Sequence, residues 1–218
     1  MPALIIEFDP LFLGGFALPA EVLSERLLKY GLPDDDPFRF VRRLYGKPTD
    51  EALRALLPAS VDAAHVERRL AATYAALLQQ NAQQAVRGVR AFLRPFAKHG
   101  VRVALVTRLR QPVVDELAEG VPGGALAVLD PQPLAVGLAP ETLQAALVAL
   151  GAPVRQCFGL MACGASVRAA LRVGLRAAAV PDPMVAFEGC AGADFVCDTF
   201  SRGLVAKLRA KLGLAPAR

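Results

Sequence analysis

Apolar positions are spaced in two ways along this chain, and the change from one to the other divides it. Residues 3–6, Ala-Leu-Ile-Ile, form an unbroken apolar run that meets two acids, Glu7 and Asp9, and then the breakers Pro10 and Gly14-Gly15. A short run bounded in this way predicts a strand buried on both faces. From Pro19 to Gln84 the spacing is helical throughout. Ala20–Tyr30 sets Val22, Leu23, Leu27 and Leu28 on one stripe, and Gly31 stops it. Pro37–Tyr45 predicts a second short helix ending at Gly46-Lys47-Pro48, and Thr49 or Asp50 predicts the cap of a third, with Leu53, Leu56 and Leu57 facing inward. Val61–Gln84 predicts a longer helix, with Val66, Leu70, Tyr74, Leu77 and Leu78 at three- and four-residue intervals.

At Gly88 the pattern changes. A helix over Val89–His99 is closed by Gly100, and Val101–Thr107 is a β-branched strand. Helices over Pro112–Gly120, Pro140–Leu150 and Ala165–Val173 then alternate with strands over Leu126–Leu129, Gln156–Gly159 and Ala177–Val180. Phe195–Cys197 predicts a last strand and Ser201–Leu212 a closing helix. This alternation predicts an α/β fold: a Rossmann-like parallel sheet with helices on both faces, with the early helical block inserted after the first strand. In such sheets ligands gather where the strands end, which draws attention to Glu7 and Asp9.

Composition narrows the setting. The 218 residues are 54% hydrophobic, enough for one well-buried core with a smaller insertion. Every apolar run is interrupted before it reaches membrane-spanning length, and the first residues lack the pattern of a secretion signal. Cys157, Cys163, Cys190 and Cys197 are spaced unlike zinc ligands and too sparsely for a disulfide scaffold, so the expected location is a reducing cytoplasm. The net charge is +5, but the basic residues are scattered and aromatic content is 6% with no Trp, which argues against nucleic acid as a partner. His65 and His99 are expected at the surface. Cys157 and Cys163 read either as a redox pair or, more commonly for such residues, as small apolar packing.

The layout closely resembles the haloacid dehalogenase superfamily, in the branch with phosphoglycolate phosphatase and β-phosphoglucomutase. The residues that carry the resemblance are the first strand with its turn, Gly46-Lys47-Pro48, Gly88-Val89, Gly100–Thr107, Leu150-Gly151, Ala169–Gly174 and Ala193–Val196. The resemblance implies a core domain of residues 1–16 and 85–218 and a helical cap of residues 17–84. It also implies magnesium-dependent phosphoryl transfer built on four motifs. These are an Asp-x-Asp-Gly, a Thr or Ser for the phosphoryl group, a Lys, and a Gly-Asp pair with a following Asp for the metal.

The ungapped register puts Glu7 at the nucleophile, Asp9 at the general acid and base, and Pro10 in place of Gly. Shifting by two makes Asp9 the nucleophile but leaves Leu11 at the second acid. Thr107 matches the second motif, with Arg108 beside it, and both are expected to bind an anion. Ala139 falls at the Lys position. Gly159 is retained, but Leu160 and Gly164 fall at the metal carboxylates, and no Asp or Glu lies between Glu141 and Asp182. Lys47, with Arg42 and Arg43, occupies the loop that the family uses for substrate choice.

The leading expectation is therefore a pseudoenzyme with a binding or regulatory role, whose partner is a small anionic ligand in the cleft or a protein. It needs no cofactor, and magnesium matters only if residual family activity survives. The alternative is an active hydrolase with a rearranged, metal-independent site built on Glu7 or Asp9 with Arg108.

Overall fold

A computed structural model of the chain describes residues 1–16, 42, 44–109, 125–132 and 134–214, with backbone alone for 83–87. The helices expected over 20–30 and 112–120, most of the one over 37–45, and Arg43 lie outside the described residues.

Six strands form one parallel sheet: β1 (Ala3–Glu7), β2 (Arg102–Thr107), β3 (Leu126–Leu129), β4 (Cys157–Met161), β5 (Arg176–Ala179) and β6 (Phe195–Val196). Their order is β3-β2-β1-β4-β5-β6, so the first strand is central. All five residues of β1 are buried because both faces of the sheet are covered. Leu4, Ile6, Val103, Leu105, Phe158 and Leu160 pack on one face, and Ala3, Ile5, Ala104, Val106 and Met161 on the other. That alternation is the two-residue period of a strand.

The described helices are α1 (Phe8–Phe12), α2 (Thr49–Leu56), α3 (Ala63–Ala97), α4 (Pro140–Leu150), α5 (Gly164–Arg172) and α6 (Arg202–Lys211). Buried residues of α4 and α5 cover the second face, while those of α3 and α6 pack in the cluster on the first. Helix α4 has Pro140 in its first turn and ends at Gly151 with φ +55°, as the sequence predicts.

Three expectations are corrected. The break expected at Gly88 is absent: α3 runs for 35 residues straight through it. One glycine costs a helix only about 1 kcal/mol, less than the burial of Leu70, Tyr74 and Leu78 before it and Phe92, Leu93 and Phe96 after it supplies. Thr49 is the first residue of α2 rather than its cap; Pro48 precedes it, and the Thr49 side chain is buried. The turn expected at Pro10 is the short helix α1.

Candidate functional site

The chain runs β1, β2, β3 outward in one direction and resumes with β4 on the other side of β1. The gap between the carboxyl ends of β1 and β4 is therefore the topological switch point, where parallel α/β sheets place their ligands. Glu7 is the last residue of β1, and its Oε2 accepts the Ala162 N–H at 2.7 Å from across that gap. Asp9 follows on α1. Its Oδ1 accepts the Thr107 hydroxyl and its Oδ2 accepts the Arg108 N–H at 2.7 Å.

The Arg108 side chain turns back into this cluster. Its guanidinium forms an ion pair with Asp130 at 2.7 Å and lies 3.7 Å from Asp9. It donates to the Gln132 carbonyl at 2.9 Å and to that of Ala135 at 3.0 Å. Asp130 also accepts the Gln132 N–H and the Thr142 hydroxyl. The Thr107 hydroxyl, donating to Asp9, accepts the Leu109 N–H. Glu7 is wholly buried, Asp9 is 1% exposed and Arg108 8%.

Burial governs the electrostatics. Desolvation raises the Glu7 carboxyl to about 7, against the opposing pull of the Ala162 N–H, Ser166 and Arg108. Its Oε1 has no hydrogen-bond partner. Asp9 is also raised by burial, against the lowering influence of Arg108. Burial works against the charged form of Arg108 too, but Asp130, Tyr74, Asp9 and Glu7 together hold it above its ordinary value. Tyr74, buried on α3, is raised by burial and then by Asp9.

Structure searches find the same architecture in solved proteins. CbbY from Rhodobacter sphaeroides, in complex with phosphate, matches at a TM-score of 0.70 with 20% identity, over 98% of this chain and 100% of that one. The β-phosphoglucomutase (pgmB) of Clostridium difficile matches at 0.70 with 14% identity, over 98% and 97%. A protein of Lactobacillus delbrueckii subsp. bulgaricus assigned as a phosphoglycolate phosphatase matches at 0.62 with 18% identity, over 98% and 100%. The chain has the haloacid dehalogenase fold. No family model matches the sequence, and no curated protein matches it.

Against the haloacid dehalogenase fold, the expected site residues separate into two groups. Glu7, Asp9, Thr107 and Arg108 converge at the strand ends. Lys47 does not join them. It is exposed and lines a separate cleft, shared with Gln132 and Ala135, whose carbonyls hold Arg108. Arg42 lies over the Phe187 ring, 4.9 Å from its centre.

Neither expected metal position faces the acid cluster. Leu160 is inside β4, pairs with Ile6 and is packed in the core. Gly164 opens α5 against the Gly189 carbonyl. The residue of this segment that faces Glu7 is Ala162, through its N–H. Ala139 precedes α4 and lines the Lys47 cleft rather than the acid cluster. Asp182, the next acid in the chain, accepts the N–H groups of Phe16 and Met184 and ties the segment after β1 to the loop after β5.

Asp130, which pairs with Arg108, is the member of this cluster that sequence reasoning did not single out. Its signal was available, since it is an acid directly after an apolar strand, as Glu7 and Asp9 are. Cys157 begins β4 and Cys163 follows its end, on the order of 20 Å apart along the strand, and both are free thiols rather than a redox pair. His65 and His99 are exposed, and His99 bonds to Arg209. Among the described residues no cluster of three or more His, Cys, Asp or Glu has the arrangement of a metal site, and no helix is long and apolar enough to cross a membrane.

Proposed function

We propose that this chain is a haloacid-dehalogenase-fold protein without magnesium-dependent phosphatase activity, acting instead by binding. The observation that carries the reading is the Arg108 guanidinium, fixed by two carbonyls between Asp9 and Asp130. The residues present do not fit magnesium. A divalent cation needs oxygen ligands at close range. Both Asp9 oxygens are engaged, Asp130 is paired, and the strand end opposite Glu7 offers the Ala162 methyl and N–H. A fixed positive charge already stands among these acids and would repel a second one.

The phosphoryl anchor is also spent. Thr107 donates to Asp9, and the Arg108 N–H does the same. Phosphoryl transfer relies on positioning and charge stabilisation, and here those donors point inward at the protein's own carboxylates. A small anionic ligand or a protein partner then becomes the object of recognition.

One observation favours the alternative of a rearranged hydrolase: a carboxyl raised to about 7 is poised for general acid–base work. A phosphomonoester panel with magnesium and with chelator separates the two. The expected result is no turnover in either. Magnesium-dependent turnover abolished by Asp9→Ala overturns the proposal. Turnover that survives chelation and is lost in Glu7→Ala establishes the alternative.

A further inference from the structure

A second cleft lies outside the acid cluster. It has a volume of about 250 Å³ and opens between the Gly46–Pro48 turn, the segment around Gly137–Pro140 and one face of α5. Lys47, Arg168 and Arg172 line it, and among the described residues no carboxylate does. Apart from Gln132 the remaining lining is small or apolar, with Gly137, Ala139, Ala165 and Ala169 leaving room beside the long cations.

Its walls are fixed before any ligand arrives. The Gly46 N–H donates to the Val136 carbonyl at 3.2 Å, beside a parallel bridge between Tyr45 and Val136. The Tyr45 hydroxyl accepts the Ala165 N–H at 2.7 Å, and the Leu138 N–H donates to Ser166 Oγ at 3.0 Å. Gly137 adopts φ +101°, and a Cβ there would come 2.8 Å from that of Ala165, so this wall tolerates no side chain. Arg168 is steadied over the Tyr45 ring, 5.7 Å from its centre, and by Glu188 at 3.3 Å. Lys47 and Arg172 are exposed at the rim.

We propose that this cleft is a binding site for a small dianion of the phosphate class, held by Lys47, Arg168 and Arg172. It rests on the reading of the molecule as a binder and names where and what it binds. Lys47, Arg168 and Arg172 meet here, and the one carboxylate partner, Glu188 on Arg168, is exposed and stands outside the lining. This favours a compact ligand of more than one negative charge, and guanidinium groups match the oxygen geometry of a phosphate. Neither Glu7 nor Asp9 lines this cleft, so a phosphoryl group held here does not meet the acids. The ligand is retained rather than cleaved.

Calorimetric titration of inorganic phosphate into the full chain at low ionic strength tests this. Saturable one-to-one binding is expected, weakened at least ~10-fold in Arg168→Ser/Arg172→Ser and less in Lys47→Ala, since charge-assisted contacts are lost. The exposed Arg90→Ser on α3 is the control and binds as the wild type does. Absence of binding by the wild type, or equal binding by the double variant, overturns the proposal. So does binding that survives in the double variant and is lost in Thr107→Ala, which places phosphate in the acid cluster. Magnesium-dependent hydrolysis of a phosphomonoester would overturn the reading as a binder while leaving the phosphate affinity of this cleft intact, so the two failures are distinguishable.

Discussion

Glu7 carries a proton at a pH where an exposed glutamate has long lost it, because the Ala162 N–H, Ser166 and Arg108 only partly offset the loss of water around the charge. The folded value, about 7, lies above the 4.5 of an ordinary glutamate, so between these the native state holds more protons than the unfolded chain. The contribution to stability is complete below the unfolded value and is lost as pH rises through the folded one, a total of roughly 3 kcal/mol. Glu7→Gln removes this slope. Denaturant melts at pH 5 and pH 8 are expected to show the variant more stable than wild type at pH 8, with the difference shrinking at pH 5. Arg108 behaves oppositely, since removing it strands buried Asp9 and Asp130 without a counter-charge. Arg108→Met is expected to cost about 3–5 kcal/mol at neutral pH, less in acid as Asp9 takes up a proton. A pH-independent loss would mean that the guanidinium contributes packing alone. Of these residues Glu7, Asp9, Thr107 and Arg108 were legible in the sequence as strand-end polar groups. Asp130 stood at a strand end too, but its partnership with Arg108 could not be read, because it depends on the register that sets Thr107 beside Leu129.

Helices and strands show where local signals hold and where they yield. Gly151 ends α4 and Gly100 follows α3, both at positive φ, as their positions in the sequence predict. Gly88 misleads because it sits exposed on a helix whose flanking turns are anchored in the core. A Cβ there meets nothing within 4 Å, so Gly88→Ala is expected to raise stability by about 0.5–1 kcal/mol in thermal melts. A decrease would show that α3 needs flexibility at this point. Gly164 is the contrasting case. A Cβ would collide with the Gly189 carbonyl, so Gly164→Asp destabilises the chain instead of restoring a metal ligand. The sequence could not distinguish these glycines, since only packing decides which one has space beside it.

For the whole molecule, the sheet delivers five polar side chains from three different strand ends to one point and closes them off from solvent. A site that already contains its cation should not respond to another. Millimolar magnesium is expected to leave the melting temperature unchanged, because only a ligand bound by the folded state shifts it. A concentration-dependent rise, retained in Arg168→Ser/Arg172→Ser, would place a cation at the acid cluster and count against the proposed function.

The sequence by itself determined the parallel α/β sheet, a first strand buried on both faces and the polar residues at its end. Those features follow from local periodicity and from breakers acting over a few residues. Tertiary structure decided what the polar residues do. Whether Asp9 faces a metal or a guanidinium depends on where Arg108 turns, and that is fixed by the carbonyls of Gln132 and Ala135 far along the chain. Likewise Lys47 leaves the acid cluster because the Tyr45–Val136 bridge seats its turn against α5, a long-range contact that no local pattern encodes.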